Sequence, residues 1–220
     1  GATLETAVSV FENTGSINFA GGSFFSSTLV NEGALTLNDT TLVGNVINGA
    51  GSFFVVGVGN LNSGLLSFDS STSLLLQSAS DVLANDGFID VNNNSTLTVD
   101  TGTLHNLAAG TINVFSTGTI DTANGGVFQD DGFTNFGASP GSLTIGGEML
   151  RGDTSRLLFE LGGLAPGIHD GFDQLTVTGE LAAGGTLNVV EYGSFDVSAG
   201  DSFDIIDAGT LTGSFREISG

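Results

Sequence analysis

The sequence predicts an all-β chain: a parallel β-helix (β-solenoid) with a distinct C-terminal β section. Three observations carry this. Helix formers are scarce, because lysine is absent and glycine supplies 35 of 220 residues, each disfavouring a helix interior by about 1 kcal/mol. Short apolar–polar–apolar runs recur, such as Leu35-Thr36-Leu37, Ile89-Asp90-Val91 and Ile112-Asn113-Val114. Such runs bury one face and wet the other. Finally, the runs share a lead-in, which is the signature of a repeat.

Taken in order, the chain opens on Thr3–Phe11, a run without glycine. It reads as a first coil or cap, or as a strand offered to a neighbouring molecule. The lead-in follows. Asn13-Thr14-Gly15-Ser16-Ile17-Asn18-Phe19 matches Asn31-Glu32-Gly33-Ala34-Leu35-Thr36-Leu37 and Asn85-Asp86-Gly87-Phe88-Ile89-Asp90-Val91. Looser copies start at Asn48, Asn62 and Asn106. Coils of about 18–20 residues are the expected period for three short strands and their corners. Asn and Gly at the corners suit a left-handed backbone. One coil cannot bury its apolar side alone, so each stacks on the next about 4.8 Å away, with Asn ladders at corners and aliphatic and Phe stacks inside. This solenoid is expected over 1–136. Beyond Pro140 the strands lengthen and all three arginines appear, Arg151, Arg156 and Arg216. Residues 137–220 therefore read as a C-terminal section of wider coils or a small β cap.

Composition excludes several classes. Asp and Glu number 24 against 3 Lys and Arg, a formal net charge of -21. That field repels nucleic acid and anionic membranes. Without cysteine there is no disulfide framework and no thiolate metal site. With 40% hydrophobic residues and a mean hydropathy of +0.28, the chain is not a disordered acidic tail. No run reaches the roughly 18 apolar residues of a membrane helix.

The C-terminal section carries a pattern of its own. Ser139-Pro140-Gly141-Ser142-Leu143-Thr144-Ile145-Gly146-Gly147 is followed by Leu157-Leu158-Phe159-Glu160-Leu161, then Phe172-Asp173-Gln174-Leu175-Thr176-Val177-Thr178, and it closes on Gly200-Asp201-Ser202-Phe203-Asp204-Ile205-Ile206. This resembles the distal passenger region of autotransporter-like and haemagglutinin-like bacterial surface proteins. The resemblance implies a right-handed β-helix, exported after loss of a signal peptide and displayed outside the cell. It transfers no catalytic residues. It departs from an autotransporter in that the 220 residues hold no series of ten-residue barrel strands.

Candidate chemistry is sparse. Polysaccharide lyases on β-helices need a cationic base, and no arginine precedes Arg151. Asp130-Asp131 is the one adjacent acidic pair, with His105 about one coil earlier and Arg151 about one coil later. This is either an acid–base cluster or a solvated corner. Calcium ligation would draw on Asp81, Asp86 and Asp90, or on the loop 167–173 with His169 and Asp170. None of these matches a known calcium-loop pattern, so no cofactor and no catalytic residue is assigned, and diffuse ion screening is expected. The expected role is structural rather than enzymatic: a self-associating subunit of an extracellular fibre, filament or matrix. The alternatives are an adhesin segment that binds glycans or host surfaces and, further off, a polysaccharide-degrading β-helix enzyme.

Overall fold

The computed structural model describes residues 2–5, 10–25, 28–49, 52–69, 72–76, 78–92, 94–115, 118–136, 140–167 and 170–220. Among them it contains strands and no helix. Every strand pairing is parallel, and each links one coil to the next. The chain is a β-solenoid.

Each coil has three sides. In one coil these are Phe88–Val91, Thr96–Val99 and Thr103–Asn106, and in the next they are Thr111–Val114, Thr119–Asp121 and Val127–Asp130. Phe88 lies beside Thr111, Thr96 beside Thr119, and Thr103 beside Val127. Where a corner is gentle, one long strand bends across two sides. Ser16–Phe25, Ala34–Leu42, Gln174–Ala183 and Ile206–Gly213 do this. Two sides are thereby hydrogen-bonded into one 15-stranded sheet, and the third is a separate sheet of ten strands.

The alternating runs place their apolar residues inside. Leu35, Leu37, Ile89, Val91, Leu97, Val99, Ile112 and Val114 are all fully buried. They form one continuous core cluster along the axis. Full burial of each such side chain is worth about 1.5–3 kcal/mol. Phe53 packs edge-on against Phe68 at 5.9 Å, and Phe136 lies 4.9 Å from Phe159. Not every Phe turns inward: Phe88 alternates with buried Ile89 and is 54% exposed.

The lead-in phrases do not form one column. Asn13, Asn31 and Asn48 end strands of the third side. Asn62, Asn85 and Asn106 end strands of the second. Above Asn48 the first column continues as Phe68, Val91 and Val114, while Asn62 begins the second column over Leu42. The 14-residue interval from Asn48 to Asn62 is thus two sides of a coil rather than a whole one.

The corner glycines divide: Gly57, Gly102 and Gly185 take the expected positive φ, at 87°, 71° and 65°, while another set does not. Gly33, Gly64, Gly87, Gly110 and Gly132 are absent from the left-handed region. They are needed for close approach. A Cβ on Gly87 would lie 2.3 Å from the carbonyl oxygen of Gly64, and one on Gly110 would lie 2.2 Å from that of Asn85. Coils stack so tightly here that only hydrogen fits. The stacked carbonyls accept from the next coil, as in Thr111 N–H to Gly87 at 2.8 Å and Phe133 N–H to Gly110 at 3.0 Å.

Coil length grows along the chain. Stacked Asn pairs are 18 and 17 residues apart near the start and 23 and 21 apart in the middle, where Asn106 and Asp130 follow at 24. The pair Asn188–Ser219 in the last coil is 31 apart. The added residues lie in two excursions, 162–173 and 192–205, while the sides keep stacking. The parallel pairing continues on both sides of this point: Phe133 pairs with Arg156, and Thr119 with Thr144. Ala2–Glu5, which includes the start of the glycine-free opening run, pairs with Gly22–Phe25 of its own chain; residues 6–9 of that run lie outside the described residues.

Candidate functional site

Three places stand out: the ladder corner, the clefts beside the C-terminal excursions, and the coil over 206–219.

The ladder corner is built by the buried Asn column. Asn62 Nδ2 donates to Asn85 Oδ1, Asn85 to Asn106, and Asn106 to Asp130 Oδ1, each at 2.8 Å. All the amides therefore point the same way. The column ends when Arg151 Nη1 donates to Asp130 Oδ2 at 2.6 Å, with both side chains fully buried. Burial pushes the Asp130 carboxyl above its ordinary value and Arg151 below its own. Their mutual attraction opposes both shifts, and the Asn106 amide helps hold the carboxylate. Among the described residues the Nε and Nη2 groups of Arg151 have no hydrogen-bond partner, so the guanidinium is only part-satisfied.

The four residues singled out in the sequence do meet at this corner, but they divide across the wall. Asp130 and Arg151 face the interior. Asp131 faces outward, where its Oδ2 lies 2.6 Å from His105 Nε2 and 3.2 Å from Gln129 Nε2. Thr154 Oγ1 also donates to the Asp131 backbone carbonyl at 2.7 Å. Successive residues on a strand point to opposite faces, so the two carboxylates cannot act on one bond. The interior pair is shut off from solvent by the coil itself.

The calcium candidates do not converge. Asp81 is buried and accepts from the backbone N–H groups of Gly57 at 3.0 Å and Ser78 at 2.9 Å. Asp90 accepts from Asn113 Nδ2 at 2.8 Å on an outer face. Asp86 is exposed on the turn between them. Asp173 is buried and accepts from Gly141 N–H and, at 2.7 Å, from Glu160 N–H. Burial lifts its pKa to about 6 against the pull of those two donors. His169 lies outside the described residues. Among the described residues no three His, Asp or Glu side chains are placed to hold a metal ion.

Beside the excursions lie two clefts. One, of about 390 Å³, is lined by Gly162, Asp170, Tyr192, Gly193, Ser194 and Phe195. Its Tyr192 is 41% exposed. Phe195 is held edge-on by Phe203, which in turn packs on Phe172. The neighbouring cleft, of about 540 Å³, is lined by Leu161, Val189, Val190, Glu191, Val197 and Gly220. Composition shows that the chain has one tyrosine, but nothing in the sequence places it beside Asp170.

Among the described residues, Ile206–Gly213 pairs with Gln174–Ala183 and Glu217–Ser219 with Thr186–Glu191, each along one edge. Leu211 sits over fully buried Leu181 and Ile218 over Leu187. Both point inward, yet they are 58% and 68% exposed. Comparison of the chain with models of known protein families, with curated proteins and with solved structures finds no match.

Proposed function

We propose that the protein is an extracellular structural protein, a β-solenoid subunit of a bacterial surface fibre, filament or matrix, and not an enzyme. The supporting observation is the stack itself, an apolar core with polar ladders along one axis. The resemblance of residues 137–220 to autotransporter-like and haemagglutinin-like surface proteins, and the absence of cysteine, support export after removal of a signal peptide. The charge of -21 keeps subunits apart until salt or divalent cations screen it. Electron microscopy of concentrated protein in high salt, with and without calcium, is expected to show filaments. Monomers under every condition overturn the reading.

A second reading, an adhesin segment that binds glycans, draws on the Tyr192–Asp170 cleft. An exposed ring beside a carboxylate suits a neutral sugar better than an anionic one. It predicts binding on a glycan array that Tyr192→Ala abolishes; an array without hits ends it.

A further inference from the structure

We propose that the outer face of the third side, the ten-stranded sheet, binds a neutral β-linked polysaccharide lying along the long axis between Phe88 and Arg156. The inference extends the glycan-binding reading to a second site, for a chain rather than a single sugar. It shares no residue with the Tyr192–Asp170 cleft and does not require fibres.

Two outward columns run side by side in the middle of this face. Phe88, Thr111 and Phe133 stack in register in one, and Asp90, Asn113 and Asn135 in the other. Ile89, Ile112 and Thr134, which alternate with them, are buried. Phe88 is 54% exposed, the largest apolar side chain left open on this stretch of wall. Phe133 is half-buried, and the Arg156 guanidinium from the next coil lies 5.7 Å from its ring centroid. The polar column is itself a ladder. Asn113 Nδ2 donates to Asp90 Oδ1 at 2.8 Å, and Asn135 Nδ2 donates to Asn113 Oδ1 at 3.3 Å. The Asn column at the ladder corner is sealed inside the coil, whereas this one meets water. A side-chain amide has two donor hydrogens and an oxygen with two lone pairs, so each rung keeps capacity for a ligand.

Spacing selects the ligand. Coils repeat about every 4.8 Å, close to the length of one pyranose unit in an extended β-linked chain. Phe88 and Phe133 are two steps apart, with the small Thr111 between them. In such a chain alternate sugars present the same face. Their apolar C–H surfaces therefore meet the two rings, while the intervening sugar crosses Thr111. The polar column stands about 7 Å to the side, where it reaches hydroxyls that donate and accept as amides do. The ladder fixes these side chains before the ligand arrives, which lowers the ordering cost of binding.

Charge and topology exclude other occupants. The strip holds one carboxylate, Asp90, and one guanidinium, Arg156, so a neutral chain matches it. A net charge of -21 repels an acidic polysaccharide, and it repels a second copy of the chain for the same reason. The strands that carry the strip are hydrogen-bonded along both edges, so no free edge receives a peptide strand.

The test uses the full chain in titration calorimetry, with cellohexaose, mannohexaose and xylohexaose as probes. At least one is expected to bind, and its disaccharide at least tenfold more weakly, because three consecutive sugars are needed to span both rings. Phe88→Ala and Asn113→Leu should each weaken the hexaose at least tenfold with circular dichroism unchanged, and Thr98→Ala, on another side of the coil, should not. Binding lost in Tyr192→Ala but kept in Phe88→Ala overturns the wall site and leaves the cleft as the glycan site. Equal affinity for disaccharide and hexaose, or tighter binding of polygalacturonate, overturns the extended neutral chain. Failure of all three hexaoses to bind overturns the proposal outright. Sedimentation gives a further check: self-association that Phe88→Ala abolishes would make a second copy the occupant and overturn it as well.

Discussion

Arg151 is the residue whose environment is most demanding. It is a guanidinium inside a solenoid wall, paired to Asp130 at 2.6 Å and left with two unpartnered nitrogens. Removing one member of a buried ion pair strands the other and typically costs about 3–5 kcal/mol, whereas replacing both can be neutral. Arg151→Met should therefore destabilise by that order in urea unfolding. Adding Asp130→Asn should recover most of the loss, because Asn extends the amide column by one member. A double variant as unstable as the single one would show that the pair does more than neutralise itself. The uncharged members are legible in the sequence as a repeated Asn, because a buried ladder needs a side chain that both donates and accepts. Its charged end is not legible: Asp130 and Asp131 look alike in sequence, and only strand alternation sends one in and the other out.

At the scale of elements, the strands follow from alternation alone, since the residues at period two are those found buried. The corners do not follow from alternation. A 14-residue interval counts as a short coil in sequence but as two sides in space, and the handover from Asn48 to Phe68 in one column hides the change. Corner glycines suggest a left-handed backbone, and Gly57, Gly102 and Gly185 adopt one, yet Gly87 and Gly110 meet a steric demand from the coil below instead. The excursion 162–173 is fixed by Asp173, which ties Gly141 and Glu160 to one buried carboxyl. Its folded pKa of about 6 lies above the ordinary value of 3.8. Its ionisation is therefore harder in the folded chain than in the unfolded one. The resulting stabilisation is complete below pH 3.8 and is lost as pH rises through about 6. Unfolding free energy should fall between about pH 4 and pH 6, by roughly 2–3 kcal/mol from Asp173. Urea melts across that range check it, and Asp173→Asn should remove that part of the slope. A slope unchanged in the variant would assign it to general charge repulsion instead.

For the whole molecule, the hydrogen bonds that join coils lie along the long axis, and the coils lengthen from 17–18 residues to 31. A pull applied between the two ends therefore does not shear many bonds at once. It peels the stack one turn at a time from whichever end yields first. Each turn releases the slack that it holds, about 65 Å from an early coil and about 110 Å from the last. The protein should then behave under load as a graded tether, paying out long steps from one end and short steps from the other, while the turns still stacked keep their shape.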